Sequence, residues 1–239
     1  MSLAEILFII IAFLANIIQA ITGFAGTVLA MPLSINLVGY STARPILNLV
    51  AIVVCLIVVI VDFKKINWKK LLALLIFVGI GFGIGFLIHS LNVDAKHLLR
   101  GYGAVICMIA ITFLFVKVDG HSIPNVFKYA ILVFAGIIHF LYTSGGPLVI
   151  LFVASTITDK REFRVTLSAL WVFLNSVIFA TNIIQGDFTS RVWILSLIVI
   201  LTSLLSIVIG RFILKKINND MFMKLTYILL LISGITAVL

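Results

Sequence analysis

Apolar residues run along this chain in blocks rather than in alternation. Six stretches are continuous, at about 43–61, 69–88, 97–116, 163–184, 191–212 and 221–238, and two more, at about 3–38 and 126–157, are interrupted by small and polar residues. A block of about 20 apolar residues matches a hydrocarbon core about 30 Å thick. Only helices or closed barrels satisfy their backbone there, and a run such as LVAIVVCLIVVIV (49–61) lacks the polar residue at every second position that a barrel strand needs. The pattern predicts an all-α membrane protein. The two interruptions, ITGFAGTVLAMP (21–32) and YTSGGPLVI (142–150), put poor helix formers at membrane depth.

Laid on itself at a shift of 120 residues, the chain matches its own punctuation. ANIIQAITGFAG (15–26) falls on AGIIHFLYTSGG (135–146), and Arg44 falls on Arg164. This divides the sequence into residues 1–120 and 121–239, each half a re-entrant or broken helical hairpin plus three transmembrane helices, with KVDGHSIPNVFK (117–128) as the joint. Basic residues collect on the cytoplasmic side of short loops. If every segment crosses once, the 17 Lys and Arg split seven against ten; if each interrupted segment returns to the side it came from, they split thirteen against four, with Arg44, Lys96, Arg100 and Arg191 opposite the rest. The hairpin arrangement is the one expected. A hairpin plus three crossings is an odd number of passes, so the halves are two inverted-topology repeats, a build found in many secondary transporters.

Composition sharpens the class. The chain is 63% hydrophobic and 10% charged, with a mean hydropathy of +1.33, which excludes an ordinary soluble domain. Its net charge of +9 sits in short loops between spans, so lipid headgroups, not nucleic acid, are the expected counterpart. Cys55 and Cys107 fall inside apolar spans, which argues against a disulfide framework or metal site. MSLAEILF lacks a basic leader and cleavage site, so no removable signal peptide is expected. In FVGIGFGIGF (77–86) the glycines form the small-xxx-small pairs Gly79/Gly83 and Gly81/Gly85, and close helix contact is the expectation.

The candidate chemistry is that of an anion. At Thr22, Gly23, Phe24, Ala25, Gly26 and Thr27, and again at Thr143, Ser144, Gly145, Gly146 and Pro147, the chain must turn and start a short helix. Helix N-termini carry free N–H groups and partial positive charge, so two such termini converging halfway through the lipid would cage a small anion. Arg44 and Arg164 head the next spans; they could draw in an anion through the planar guanidinium or snorkel to headgroups. Asn48 and Ser168, four residues on, with Trp171 and Asn175, are candidate cavity-lining residues. His139 is the ionisable group well inside a span, either a proton-coupling group or a neutral imidazole bonded across helices. The carboxylates, Asp62 among them, sit at span ends or in loops, which weighs against a cation substrate.

The two glycine-rich breaks TGFAGTVLAMPL and TSGGPLVI, each followed by an Arg-led span, RPILN and RVTLS, make the chain resemble the TauE/SafE family, the sulfite exporter or toluene-sulfonate-uptake permeases. The resemblance spans essentially the whole chain and implies a carrier of sulfite, sulfonates or related sulfur anions. The expected function is therefore a secondary transporter working by alternating access with its site at the paired breaks. An anion channel, or a carrier for another small carboxylate or sulfur compound, is the alternative. It is not expected to be an enzyme: no metal cluster, nucleophile elbow or carboxylate pair stands out. No cofactor is expected beyond proton coupling. The expected partners are the anionic substrate and the bilayer of the plasma or inner membrane, with a homodimer left open.

Overall fold

The computed structural model describes residues 1–90, 107, 125–143, 145–154 and 156–238. Every regular element among them is helical: α1 (Leu3–Thr22), α2 (Ala25–Val38), α3 (Tyr40–Asp62), a 3-10 turn at Phe63–Lys65, α4 (Trp68–Ser90), α5 (Asn125–Tyr142), α6 (Gly146–Ala154), α7 (Lys160–Ile184), α8 (Ser190–Lys216) and α9 (Asn219–Val238). Five of these helices are long and apolar enough to cross a membrane, and the chain is a multi-pass membrane protein. The span expected at 97–116 lies outside the described residues, as do most of the expected joint and the candidate Ser144.

Two compact units emerge, one made of Met1–Ile66 with Arg164–Ile217, the other of Asn67–Phe163 with Asn218–Leu239. Each takes segments from both sequence halves. In the first unit α1 opens with a capping box: Glu5 N–H donates to the Ser2 hydroxyl, and Ser2 N–H donates to the Glu5 carboxylate. Glu5, Phe8, Ala12, Ala15, Asn16 and Gln19 form one buried stripe at helical spacing. Lipid is as apolar as Leu, so helices here associate by close packing of small residues; Ala12, Ala15 and Ala43 do this beside Phe8, Ile46 and Val50.

The interrupted segment is a hairpin. α1 ends at Gly23, whose φ of 85° is open to glycine and strained for other residues, and α2 then runs back along α1. Ser2, Glu5, Leu37, Val38, Thr42 and Arg191 line one small cavity, so the start of α1, the end of α2 and the starts of α3 and α8 share one end of the unit. α2 thus ends at the end of the unit where α1 starts, but the turn between them does not lie midway along the neighbouring helix. α1 holds 20 residues, about 30 Å at 1.5 Å per residue. It runs beside α8 from the Glu5–Arg191 ion pair, past Ser206 donating to the Phe13 carbonyl, to Gly210 against Ala20. The turn thus sits near the far end of α8 and not beside its middle, because an unbroken 20-residue helix precedes it.

The second unit has its own hairpin. Gly145 lies against the Ala135 carbonyl and the His139 Cβ, and Phe152 on α6 reaches Tyr129 near the start of α5. α4 crosses α5 closely at Gly81 and Gly136, where a methyl on either glycine would overlap the facing backbone. Gly85 also faces α5, at Ile137 and Phe140, whereas Gly79 and Gly83 meet nothing. The expected close contact therefore belongs to one glycine pair of the two. Gly81→Ala should destabilise the protein by about 1–3 kcal/mol through overpacking, while Gly79→Ala should gain up to about 1 kcal/mol of helix propensity. Thermal melting of the two variants in detergent checks the contrast.

Candidate functional site

A buried polar seam runs the length of the α3–α7 contact in the first unit. At one end Arg44 Nη1 donates to Asn182 Oδ1 at 3.1 Å. Next, Asn48 Nδ2 donates to Asn175 Oδ1 at 3.2 Å. Further along, Ser168 sets its hydroxyl by the Cys55 thiol, which also accepts from Gln19 Nε2 at 3.1 Å. At the far end Arg164 forms a salt bridge with Asp62 and donates through Nη1 to the Ala20 carbonyl at 2.9 Å. The two helices are antiparallel, and each contact has a counterpart when its partners are shifted by 120 residues: 44 and 182 become 164 and 62, and 48 and 175 become 168 and 55.

The chemistry at the two ends differs although the positions correspond. Arg164, 2% exposed, has a carboxylate; Arg44, 6% exposed, has a carboxamide. Beyond Asn182, Arg44 lies 5.9 Å from the Tyr40 ring, and among the described residues it makes no ion pair. Among the described residues its Nε and the Nδ2 of Asn182 are buried donors with no acceptor. A buried guanidinium without a counter-charge is costly in a low-dielectric setting. Its own Nε and the neighbouring Asn182 Nδ2 make the place complementary to an oxyanion.

The first break has different chemistry from the expected one. Gly26 N–H donates to Gln19 Oε1 at 2.7 Å, and the Phe24 and Ala25 N–H groups make long bonds of 3.4 Å to the Thr22 hydroxyl. The amides expected to await an anion at the start of α2 are thus occupied by the hairpin's own side chains. Gly23 is pressed against the Arg164 backbone, where a Cβ would come within 2.7 Å of its carbonyl oxygen. Thr22 and Gly23–Gly26 therefore belong to the turn beside Arg164, and Thr27 is half-buried.

Arg44, Asn48, Arg164, Ser168 and Asn175 are brought together along the seam, and Trp171 is buried on α7 between Ser168 and Asn175. His139, Thr143, Gly145, Gly146 and Pro147 lie in the second unit. There His139 is buried with its ring 6.2 Å from Phe82. Thr143, held at φ 52°, buries a hydroxyl with no partner among the described residues. Sequence reasoning missed Asp62, Asn182, Cys55 and Gln19 as members of the seam. The signal was available: at the 120-residue shift Asp62 falls on Asn182 and Cys55 on Asn175, polar or soft residues at equal depth in corresponding spans.

No curated protein and no solved structure matches the chain. The family model for Sulfite exporter TauE/SafE does, over residues 8–237. Those residues take in both units and every member of the seam, and the chain belongs to the TauE/SafE sulfite exporter family.

Proposed function

We propose that the protein is a secondary transporter for a small sulfur oxyanion, sulfite or an organosulfonate, in the plasma or inner membrane, and that Arg44 with Asn182 supplies the counter-charge for that anion. The observation that carries this reading is the buried Arg44 guanidinium, whose partner at the position equivalent to Asp62 is a neutral amide. The planar fork of Arg suits an oxyanion, and the idle Nδ2 of Asn182 can donate to a further oxygen of the same anion. The family supports the substrate class.

Two inverted repeats working by alternating access complete the proposal. The reciprocal contacts of α3 and α7 at a 120-residue shift are what an internal twofold relation generates, since in such an interface residue i meets j and j′ meets i′. Of the two Arg residues at the ends of the seam, Arg164 is balanced by Asp62, which leaves the Arg44 end as the favourable position for the anion. The glycines of the second break remain candidates for the path. Substituting Gly145 with Leu cannot test them cleanly, because any Cβ there collides with the α5 backbone.

Calorimetric titration of the purified full chain with sulfite should show saturable binding, and Arg44→Gln should weaken it by about 10- to 100-fold, the loss of one or two charge-assisted hydrogen bonds. Equal binding by Arg44→Gln would move the site elsewhere. Flux into liposomes distinguishes a carrier, which saturates at modest turnover, from a channel.

A further inference from the structure

A cavity of about 630 Å³ opens between α3 and α8, away from the polar seam's interior. Seven of its ten lining residues are apolar, and the other three are Arg164, Arg211 and Lys215. Arg164 is committed to Asp62. Arg211 and Lys215 are exposed, one helical turn apart, and among the described residues neither pairs with a carboxylate. The apolar part is formed by Ile57, Val58 and Val61 on α3 facing Leu204 and Val208 on α8. Several of these side chains are open to the surroundings: Val61 is 42% exposed, Leu204 42% and Val208 66%.

The groove is thus polarised along its length. From Leu204 to Lys215 is eleven residues, about 16 Å of helix, and half of a hydrocarbon core about 30 Å thick is about 15 Å. One leaflet's depth, an apolar floor and two cations at one end match a phospholipid with a net negative headgroup. Apart from Arg211 and Lys215 the only charged lining residue is Arg164, whose charge Asp62 already balances, and the remaining lining is apolar, so a soluble oxyanion would find little to hold it beyond the two exposed cations. Basic pockets between transmembrane helices are known lipid-headgroup sites, and apolar stems with charged tips suit the interface.

We propose that the α3–α8 groove binds one anionic phospholipid, its phosphodiester held by Arg211 and Lys215 and an acyl chain lying along Val61, Leu204 and Val208. This site does not depend on what the seam carries.

Native mass spectrometry of the detergent-purified full chain, titrated with phosphatidylglycerol and with phosphatidylcholine, tests it. The expected result is one phosphatidylglycerol bound at least ten-fold more tightly than phosphatidylcholine. The double variant Arg211→Gln/Lys215→Gln should lose that preference. Val208→Trp fills the groove without changing charge at a side chain already exposed, so it should weaken both lipids while melting as the unmodified protein does. Equal binding of the two lipids, an unchanged preference in the double variant, unchanged lipid binding in Val208→Trp, or displacement of phosphatidylglycerol by inorganic phosphate at comparable concentration would each overturn the proposal, the last by making a soluble anion the occupant.

Discussion

Asn182→Asp should stabilise the anion-free protein and abolish most of its sulfite binding. The carboxamide oxygen already sits 3.1 Å from Arg44 Nη1, so a carboxylate of the same shape can take its place without rearrangement. The guanidinium then has the internal counter-charge that Arg164 has in Asp62. Melting should move upward, because a buried cation that was unbalanced becomes paired. Sulfite must now compete with a tethered carboxylate, and its affinity should fall by about 10- to 100-fold, the value of a charge-assisted hydrogen bond or two. Opposite signs on stability and binding are diagnostic. A variant that merely damaged the fold would lose both. If melting rises and sulfite binding is unchanged, Arg44 is not the anion's partner.

Asp62→Asn is the mirror experiment. It turns the Arg164 end into a copy of the Arg44 end, leaving a guanidinium that is 2% exposed with a neutral partner. Removing one member of a buried ion pair is expected to destabilise by about 3 kcal/mol. Sulfite should restore part of the loss by mass action, since an anion that binds only the folded state raises its melting point as its concentration rises. Chloride at equal ionic strength should restore less if the site prefers oxyanions. A variant that melts like the unmodified protein would show that the Asp62–Arg164 pair contributes nothing net.

Helices and hairpins were legible in the sequence because their causes are local. Gly23 and Gly39 take positive φ values and end helices where the apolar runs pause. Depth was less legible: glycines announce a turn, but the count of residues before them decides how far along the turn lies, and α1 is a full-length helix before Gly23. The fate of the α2 amides was not legible at all, since it depends on Gln19 folding back over seven residues to reach Gly26. The seam was half legible. Arg44, Asn48, Arg164, Ser168 and Asn175 stood out as polar residues inside or heading spans. Asp62 read as an ordinary helix end, and indeed it is the last residue of α3; only the antiparallel pairing of α3 with α7, from a distant part of the chain, turns it toward Arg164. Long-range partners leave no local mark.

The shortness of α2 bears on how the protein is made. Its 14 residues cover about 21 Å, less than the bilayer's apolar interior, so it cannot be delivered into lipid as an independent passenger. α1 and α2 are therefore expected to enter the bilayer as one hairpin, held at its tip by the Gly26 N–H donating to Gln19 Oε1. A side chain at Gly26, its Cβ 2.7 Å from the Gln19 Cβ, would obstruct that contact, so insertion of the hairpin is expected to depend on this glycine as the finished structure does.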